Sequence, residues 1–230
     1  MIDFHSHILP KMDDGSRSTE ESLAMLKVLS NQGIETVIAT PHFNANDESV
    51  DSFIKRRADS YGKLKESVQS EIPDIKLGAE VRYYEGISRL EGIEELCVEG
   101  TNLLLLEMPF GRWTEYIVKE LTDISCSGKV IIVLAHIDRY LKFQKWSVFE
   151  TLLENGVLMQ LNASFINHFL NRRKAVWLLK SGAVQFVGSD CHNMAGRAPD
   201  IGKAYAFLKQ KLGPDFLGGF ADIINNFSKG

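Results

Sequence analysis

The sequence predicts an α/β protein whose parallel strands close into a barrel. Short apolar segments alternate with longer segments of helical periodicity along most of the chain. Parallel neighbours need long crossover connections, and unbroken apolar segments suit strands that are buried on both faces. Polar side chains follow six of the predicted strands, which favours a barrel over a doubly wound sheet because the strand ends of a barrel meet on one rim. We therefore expect an irregular barrel of seven strands.

Local signals place the elements along the chain. Ser18 and Glu21 form a capping box that starts the first helix, leucines recur at helical spacing, and Gly33 is a left-handed stop. The predicted strands are residues 2–5, 36–40, 76–81, 103–106, 130–135, 157–161 and 184–187. The predicted helices are residues 18–33, 51–70, 114–126, 147–155, 171–180, 201–212 and 216–227.

Composition and charge exclude several function classes. The chain has 230 residues, 44% of them hydrophobic, and we expect residues 1–230 to form a single domain with a substantial core. A net charge of −4 without blocks of like charge argues against a nucleic-acid partner. The three cysteines are typical of a reducing compartment. With no secretory signal and no apolar segment near the ~20 residues of a membrane helix, we expect a soluble cytoplasmic protein without membrane insertion.

The first candidate site lies at the start of the chain. His5 and His7 occupy alternate positions of the first strand, so both imidazoles project from one side and can reach one ion. Asp13 and Asp14 follow them closely. Histidine and carboxylate together suit Zn, Mn or Fe(II) better than Ca or Mg. The spacing therefore indicates a metal site, and two surface histidines near a chain end are the alternative.

Further residues of the same types follow later strands. They are His42, Glu80, Glu107, His136, Asp190 and His192. Five of the six histidines stand at strand ends, and only His168 is interpreted as a surface residue. Taken alone, a residue of this kind more often has a structural role than a role as a metal ligand. Their joint placement favours a metal cluster at the C-terminal rim of the strands, because carboxylates on a desolvated rim need a cation to offset their charge.

Seven short motifs carry a resemblance to a known family. In chain order they are IDFHSHILP (residues 2–10), DDG (13–15), ATPHF (39–43), GAE (78–80), LEMPF (106–110), AH (135–136) and GSDCHN (188–193). The set resembles the PHP (polymerase and histidinol phosphatase) family. Within that family it is most similar to the bacterial manganese-dependent protein tyrosine phosphatases encoded with capsule and exopolysaccharide genes. The likeness covers nearly the whole chain in order and at familiar spacing.

The resemblance implies a distorted (β/α)7 barrel of the PHP type, similar to a TIM barrel, with three divalent metal ions. Mn²⁺ is the first expectation for these ions, with Fe or Zn as alternatives. The implied ligands are His5, His7, Glu80 and Asp190 for one ion, Glu107 and His136 for a second that shares Glu80, and Asp14, His42 and His192 for a third. Asp13 is an alternative to Asp14.

The resemblance also implies how the substrate is bound. Arg139 and Arg197 match positions that bind phosphate, and their planar guanidinium groups suit phosphoryl oxygens. His42 or His192 is a general acid when it is not bound to metal. We expect Phe110 and Trp113 to offer aromatic walls to the phosphotyrosine ring, with inward packing of Trp113 as the alternative.

The implied activity is hydrolysis of phosphotyrosine in a protein. The implied substrate is the tail of an autophosphorylating bacterial tyrosine kinase that controls capsule or exopolysaccharide synthesis. The sequence predicts no particular oligomeric state. It departs from the family pattern at Lys11, where glycine is common, and at Ile137 and Asp138, where proline and glutamate are usual.

Three other interpretations stay open at this point. Cys191 and Arg197 have the C-x5-R spacing of cysteine-based tyrosine phosphatases, although the neighbouring Asp190 disfavours a thiolate and the glycines of a phosphate-binding loop are missing. Another PHP phosphoesterase, such as histidinol phosphatase, would use the same metals. The non-enzymatic alternative is a metal-binding regulatory module that docks on a kinase.

Overall fold

The computed structural model describes residues 1–227, in which helices surround a curled parallel sheet. Residues 228–230, which belong to the predicted domain, lie outside the described residues. The strands are β1 (Ile2–Ser6), β2 (Thr36–Ala39), β3 (His42–Phe43), β4 (Asp74–Leu77), β5 (Glu80–Arg82), β6 (Leu103–Glu107), β7 (Ile131–Leu134), β8 (Leu158–Asn162) and β9 (Phe186–Gly188). The helices are α1 (Thr19–Asn31), α2 (Val50–Glu66), α3 (Glu115–Cys126), α4 (Trp146–Glu154), α5 (Ala163–Asn167), α6 (Arg172–Lys180), α7 (Ile201–Leu212) and α8 (Gly219–Asn226).

The nine strands of residues 1–227 occupy seven positions around a barrel, which we call staves. Two of these staves each consist of two strands separated by a break. β2 continues into β3 after a break at Pro41, and β4 continues into β5 after a break at Gly78. Pro41 has no N–H to donate, and across the break Gly78 N donates to Ala39 O (2.8 Å) and Glu80 N donates to Pro41 O (3.0 Å). The predicted continuous strand over residues 76–81 is therefore two strands.

The last stave joins the first and closes the ring. The Asp190 N–H donates to the carbonyl of His5 (2.8 Å), and the His7 N–H donates to the carbonyl of Cys191 (2.9 Å). Gly188 permits this close approach, because a Cβ there would lie 2.6 Å from the Cβ of His5. The predicted distorted seven-stranded barrel is confirmed.

The strands are buried on both faces, as their unbroken apolar sequences predict. In β6, Leu103 and Leu105 belong to a small interior cluster, whereas Leu104 and Leu106 pack in the larger core between sheet and helices. The other buried members of the interior cluster are Phe4, Ile38, Val98, Val133, Ala135, Phe186 and Ile224. The barrel interior is thus a packed apolar core, which leaves the rim for polar residues.

The last helix closes the barrel interior at one end. Ile224 of α8 is buried in the interior cluster, and Ile223 packs against the same cluster. The Asn102 N–H, directly before β6, donates to the carbonyl of Phe227 (3.3 Å). Because Asn102 lies at the N-terminal end of β6, α8 caps the end of the barrel opposite the candidate site.

Most predicted helices agree with the structure within a few residues. The Ser18 cap is present, since its side chain accepts a hydrogen bond from the Glu21 N–H. Helix α2 ends at Glu66 instead of residue 70, and the short helix α5 was not predicted. No helix within residues 1–227 has both the length and the apolar character needed to cross a bilayer.

Lys11 has a left-handed backbone conformation. Its φ is 59°, and its N–H donates to the carbonyl of Ser16 (2.8 Å) in the loop before α1. A side chain with a Cβ costs about 1–2 kcal/mol in this region, whereas glycine adopts it freely. The departure from the family pattern at this position therefore carries backbone strain.

We predict that Lys11→Gly raises the free energy of unfolding by about 0.5–1 kcal/mol. Relief of the left-handed strain, about 1–2 kcal/mol, outweighs the added entropy of a glycine in the unfolded chain, about 0.4–1 kcal/mol. Urea denaturation of both proteins measures the difference. The matched control is Lys11→Ala, which keeps the Cβ and the strain. Equal stability of the Gly and Ala variants would contradict this account.

Candidate metal centre and active site

All of the predicted ligand residues lie together at the C-terminal rim of the barrel. Within residues 1–227, four overlapping groups have candidate donor atoms within 4.8 Å of one another. The groups are His7, Asp14, His42 and His192; His5, His136 and Asp190; His5, His7 and Glu80; and His42, Glu80 and Glu107. Together they contain every residue of the implied ligand set and do not include Asp13.

Three buried imidazole nitrogens indicate that the cluster fits metal ions. The Nε2 atoms of His5, His7 and His192 are buried and have no hydrogen-bond partner within residues 1–227. Carboxylate oxygens lie near each nitrogen, at 3.3 Å for His5 and Asp190, 3.3 Å for His7 and Glu80, and 3.5 Å for His192 and Asp14. An unsatisfied buried nitrogen is costly. Imidazole and carboxylate donors that face one another in this way fit divalent metal ions.

The rings of His5, in β1, and of His7, directly after β1, are held in place by polar neighbours on their Nδ1 side. His5 Nδ1 lies 2.6 Å from Thr40 Oγ1, and His7 Nδ1 lies 2.7 Å from Asp13 Oδ2. Asp13 also accepts hydrogen bonds from the N–H groups of Gly15 (2.9 Å) and His42 (2.9 Å). Such partners fix the tautomer and direct Nε2 toward a metal. Asp13 thus holds the predicted ligand His7 in place, which favours Asp14 over Asp13 as the ligand of the outer group.

The imidazoles of His5 and His7 have different electrostatic environments. Burial lowers the pKa of His5, so its ring is neutral and available as a ligand. Burial also disfavours the charged form of His7, but the hydrogen bond with Asp13 and the nearby carboxylates of Asp190 and Glu80 outweigh that effect and raise its pKa well above the usual value. The same carboxylates that favour a proton on His7 favour a metal cation at this place.

Glu80 is the central carboxylate of the cluster. Its oxygens lie 2.7 Å from His136 Nε2, 3.0 Å from His42 Nδ1, 3.3 Å from His7 Nε2 and 3.5 Å from His5 Nε2. Burial alone would raise the pKa of Glu80, but the surrounding imidazoles hold it well below the usual value. Because both oxygens face different imidazoles, Glu80 has the geometry of a bridging ligand.

A more open group lies at the edge of the rim. Asp14 Oδ1 is 3.4 Å from His42 Nε2 and 3.5 Å from His192 Nε2, and the Asp14 side chain is 67% exposed. His192 Nδ1 donates to the Asp190 carbonyl (3.0 Å), which leaves the Nε2 lone pair directed at the group. Burial, with His7 and Arg197, lowers the pKa of His192 to about 4. His192 is therefore a neutral ring suited to a ligand role.

Both predicted phosphate-binding arginines contact Asp190. Arg197 Nη2 lies 2.6 Å from Asp190 Oδ1, and Arg139 Nη2 forms a short ion pair with Oδ2. Burial would raise the pKa of Asp190, but His5 and His7 outweigh it and keep the carboxylate ionised. Both guanidinium groups are partly exposed at the rim, which places them beside the metal-binding groups.

Backbone strain occurs at two site residues. His136 has φ 32° and Asp190 has φ 54°, both in the left-handed region. Such conformations cost about 1–3 kcal/mol and persist where the surrounding structure fixes them. The His136 N–H donates to Gln160 Oε1 (2.5 Å), and the Asp190 side chain accepts from Asn162 Nδ2 (3.0 Å). The left-handed backbone at these two residues directs both side chains toward the cluster.

Sequence reasoning missed the supporting residues. Thr40, Gln160 and Asn162 hold His5, His136 and Asp190 respectively, and none was predicted to take part in the site. A signal for β8 was available, because Gln160 and Asn162 are polar residues at alternate positions of an apolar strand, near its C-terminal end. No comparable sequence signal marks Thr40.

The predicted aromatic walls are only partly compatible with the structure. Trp113 is 8% exposed, stacks edge-on against Tyr140 and Phe149, and donates from Nε1 to the Pro109 carbonyl (3.1 Å). The prediction that Trp113 lines the substrate site is therefore wrong, because its ring packs in the core. Phe110 is 64% exposed and follows β6, so it stays a candidate substrate contact.

Cys191 does not have the environment of a catalytic thiolate. Its side chain is 1% exposed, and burial, with Asp3 nearby, raises its pKa well above the usual value. A phosphatase of the cysteine class needs a thiolate at a helix N-terminus. The next helix, α7, begins only at Ile201. The C-x5-R spacing is coincidental.

We predict different effects for the two adjacent aspartates. Asp14→Asn should lower the number of bound Mn²⁺ ions per chain, because it weakens a direct contact of the outer group. Asp13→Asn should keep that number but weaken binding by about 10–100-fold, as expected for a residue that orients a ligand. Titration calorimetry with elemental analysis measures both. The opposite pattern would show that Asp13 is the ligand.

Comparison with known proteins agrees with this geometry. A family model described as "Capsular polysaccharide synthesis, CpsB/CapC" matches residues 1–222. The tyrosine-protein phosphatase YwqE of Bacillus subtilis is 29% identical over 94% of this chain and 86% of its own length. The tyrosine-protein phosphatase CpsB of Streptococcus pneumoniae is 29% identical over 93% of this chain and 91% of its own length.

Solved structures show the same fold. A crystal structure from work on YwqE of Bacillus subtilis and CpsB of Streptococcus pneumoniae, described as unique metal-dependent tyrosine phosphatases, is 27% identical, has a TM-score of 0.81, and covers 100% of this chain and 96% of that one. A histidinol phosphate phosphatase of Lactococcus lactis, solved with zinc, L-histidinol and phosphate, is 13% identical with a TM-score of 0.54 over 91% of this chain and 92% of its own. That likeness shows the fold alone. The predicted family is confirmed, and the chain belongs to the CpsB/CapC family of capsular polysaccharide synthesis.

Proposed function

We propose that this chain is a metal-dependent phosphatase that hydrolyses phosphotyrosine in proteins. The observation that carries the proposal is the cluster of imidazoles and carboxylates in which three buried Nε2 atoms have no hydrogen-bond partner within residues 1–227. Relatives named tyrosine-protein phosphatase, which align over most of the chain, support the choice of substrate.

The ligand assignment is the one that the resemblance implies, and the groups at the rim contain all of its residues. We assign His5, His7, Glu80 and Asp190 to one ion, Glu80, Glu107 and His136 to a second, and Asp14, His42 and His192 to a third. Mn²⁺ is our first choice for each ion, with Fe or Zn as alternatives, because mixed imidazole and carboxylate donors suit these metals. When bound, the ions supply Lewis-acid chemistry, lowering the pKa of water and stabilising negative charge on phosphoryl oxygens.

The arginines bind and orient the phosphoryl group. Arg139 and Arg197 present guanidinium groups at the rim, 31% and 40% exposed, next to Asp190. Planar guanidinium groups match phosphoryl oxygens and stabilise the charge that spreads over them in the transition state. The ion pairs with Asp190 set the positions of both arginines before the substrate arrives.

Proton transfer to the leaving group needs little help, since a phenolate departs readily. His42 is the candidate general acid when it is not bound to metal, because its side chain is 38% exposed and Glu80 raises its pKa against the opposing effect of burial. The neutral tautomer of His192 suits a ligand and not a proton donor. Of the two histidines predicted for this role, the geometry favours His42.

The proposed physiological substrate is the phosphotyrosine-bearing tail of a bacterial tyrosine kinase that controls capsule or exopolysaccharide synthesis. The exposed outer group and the exposed Phe110 ring form an open rim that a polypeptide can reach. We propose a cytoplasmic location, which suits an odd number of cysteines that are widely spaced along the chain. Histidinol phosphatase activity is not favoured, because the resemblance to such an enzyme extends to the fold alone.

The test is hydrolysis of a phosphotyrosine peptide with Mn²⁺, with and without chelator. We expect activity with Mn²⁺ and its loss by at least about 100-fold on chelation or in His5→Ala, since either change removes charge stabilisation at the reacting group. The control Cys191→Ala should stay within about twofold of the parent, because a thiol with a raised pKa contributes no nucleophile.

Three outcomes would overturn the proposal. Activity that survives both chelation and His5→Ala would exclude a metal mechanism. Absence of activity on every phosphotyrosine peptide, with Mn²⁺ bound to the cluster, would favour the regulatory module instead. Turnover of histidinol phosphate above that of phosphotyrosine peptides would show that the substrate class is wrong.

A further inference from the structure

A groove with basic and apolar walls lies between the helices that follow the last two strands, β8 and β9. It has a volume of about 700 Å³ and lies between the turn Phe169–Asn171 with the start of α6 on one side and α7 on the other. Phe169 and Leu170 at its edge are 77% and 78% exposed. Two large apolar side chains in this state are a marked exposure of hydrophobic surface, which is typical of an interaction site.

All of the charged side chains that line the groove are positive. Arg172, Arg173 and Lys211 line it, and no carboxylate does. The Arg172 guanidinium lies 4.6 Å from the centre of the Phe207 ring, and its Nε is buried without a hydrogen-bond partner within residues 1–227. None of these cations takes part in an ion pair within the described part of the chain.

The groove is connected to the active site by two elements. Phe169 lies in the connection that follows β8, whose last residue, Asn162, donates to Asp190 of the cluster (3.0 Å). Asn167 Nδ2 donates to the carbonyl and to Oδ2 of Asp200 (3.1 and 2.9 Å), just after the loop that carries Arg197. Loops that follow strands share one end of a barrel. A polypeptide with its phosphotyrosine in the site can therefore extend toward the groove.

We propose that this groove binds an acidic segment of the phosphoprotein substrate, with an apolar side chain of that segment inserted between α6 and α7. The proposal deepens the proposed function and rests on it. Unpaired cations around an apolar floor are complementary to carboxylates that flank an apolar residue. The chain as a whole has a net charge of −4, so the positive charge of the groove attracts an acidic peptide to this place and not to the rest of the surface.

A peptide is favoured over a membrane surface as the occupant. A concave groove accommodates a protruding side chain, whereas membrane binding uses a convex apolar face that enters the headgroup region. The overall negative charge also disfavours anionic bilayers. Binding to vesicles is therefore an outcome that the test has to separate from peptide binding.

The test compares two phosphotyrosine peptides with the same core, one with an acidic, leucine-containing extension and one with a lysine-containing extension, at graded distances from the phosphotyrosine. In the double variant Arg173→Glu, Lys211→Glu we expect KM for the acidic peptide to rise about five- to tenfold with kcat unchanged. Leu170→Ser should also raise it. Hydrolysis of p-nitrophenyl phosphate, which is too small to reach the groove, should not change in any variant.

The matched control is Lys174→Glu. Lys174 is exposed on the same helix but does not line the groove, so the same change of charge should leave KM for both peptides unchanged. Fluorescence anisotropy of the labelled acidic peptide without phosphate measures binding independently of catalysis. We expect this binding to weaken in the double variant and to persist in Lys174→Glu.

The outcomes separate the two proposals. If p-nitrophenyl phosphate and all peptides stay intact with Mn²⁺ while the anisotropy signal still depends on Arg173 and Lys211, the proposed function fails and the groove proposal survives as a binding site. If catalysis is normal but the acidic peptide shows the same KM and anisotropy in every variant, the groove proposal is overturned. Sedimentation with anionic vesicles that is lost in the double variant, without any effect on peptide binding, would also overturn it.

Discussion

The whole site depends on one buried carboxylate among imidazoles. Glu80 is 1% exposed and contacts His5, His7, His42 and His136, which come from three other staves of the barrel. A buried carboxylate without cationic partners is strongly unfavourable, and so are several buried imidazoles without acceptors. The carboxylate and the imidazoles therefore stabilise one another. Bound metal cations would in addition provide partners for the buried Nε2 atoms that have no hydrogen-bond partner within residues 1–227.

The barrel makes this arrangement possible because it brings distant parts of the chain to one rim. Its interior is filled with apolar side chains, among them the stacked rings of Phe4 and Phe186, whose centroids are 3.9 Å apart. The packed interior prevents the rim side chains from collapsing inward. Gly188 then lets the last stave approach β1 closely enough for Asp190 to reach His5.

Most of the fold and the residues that meet at the rim could be predicted from the sequence, because both follow from local patterns, whereas the assignment of these residues to metal ions rests on the resemblance. Apolar segments such as residues 103–106 mark the strands, and a polar residue at the end of a strand marks the rim. The interruption at Gly78 and the left-handed backbone of His136 and Asp190 were not predictable, since they arise from contacts between staves. The orientation of Trp113 was not predictable either, because an aromatic residue near a site has the same sequence pattern whether it faces the substrate or the core.

Anomalous diffraction from crystals grown with Mn²⁺ would show whether the rim residues bind metal ions, and how many. We expect three anomalous peaks at the rim, one among His5, His7, Glu80 and Asp190, a second that shares Glu80 with Glu107 and His136, and a third among Asp14, His42 and His192. Peaks that lie away from these groups, or a fully loaded crystal without a peak next to Glu80, would contradict this ligand assignment.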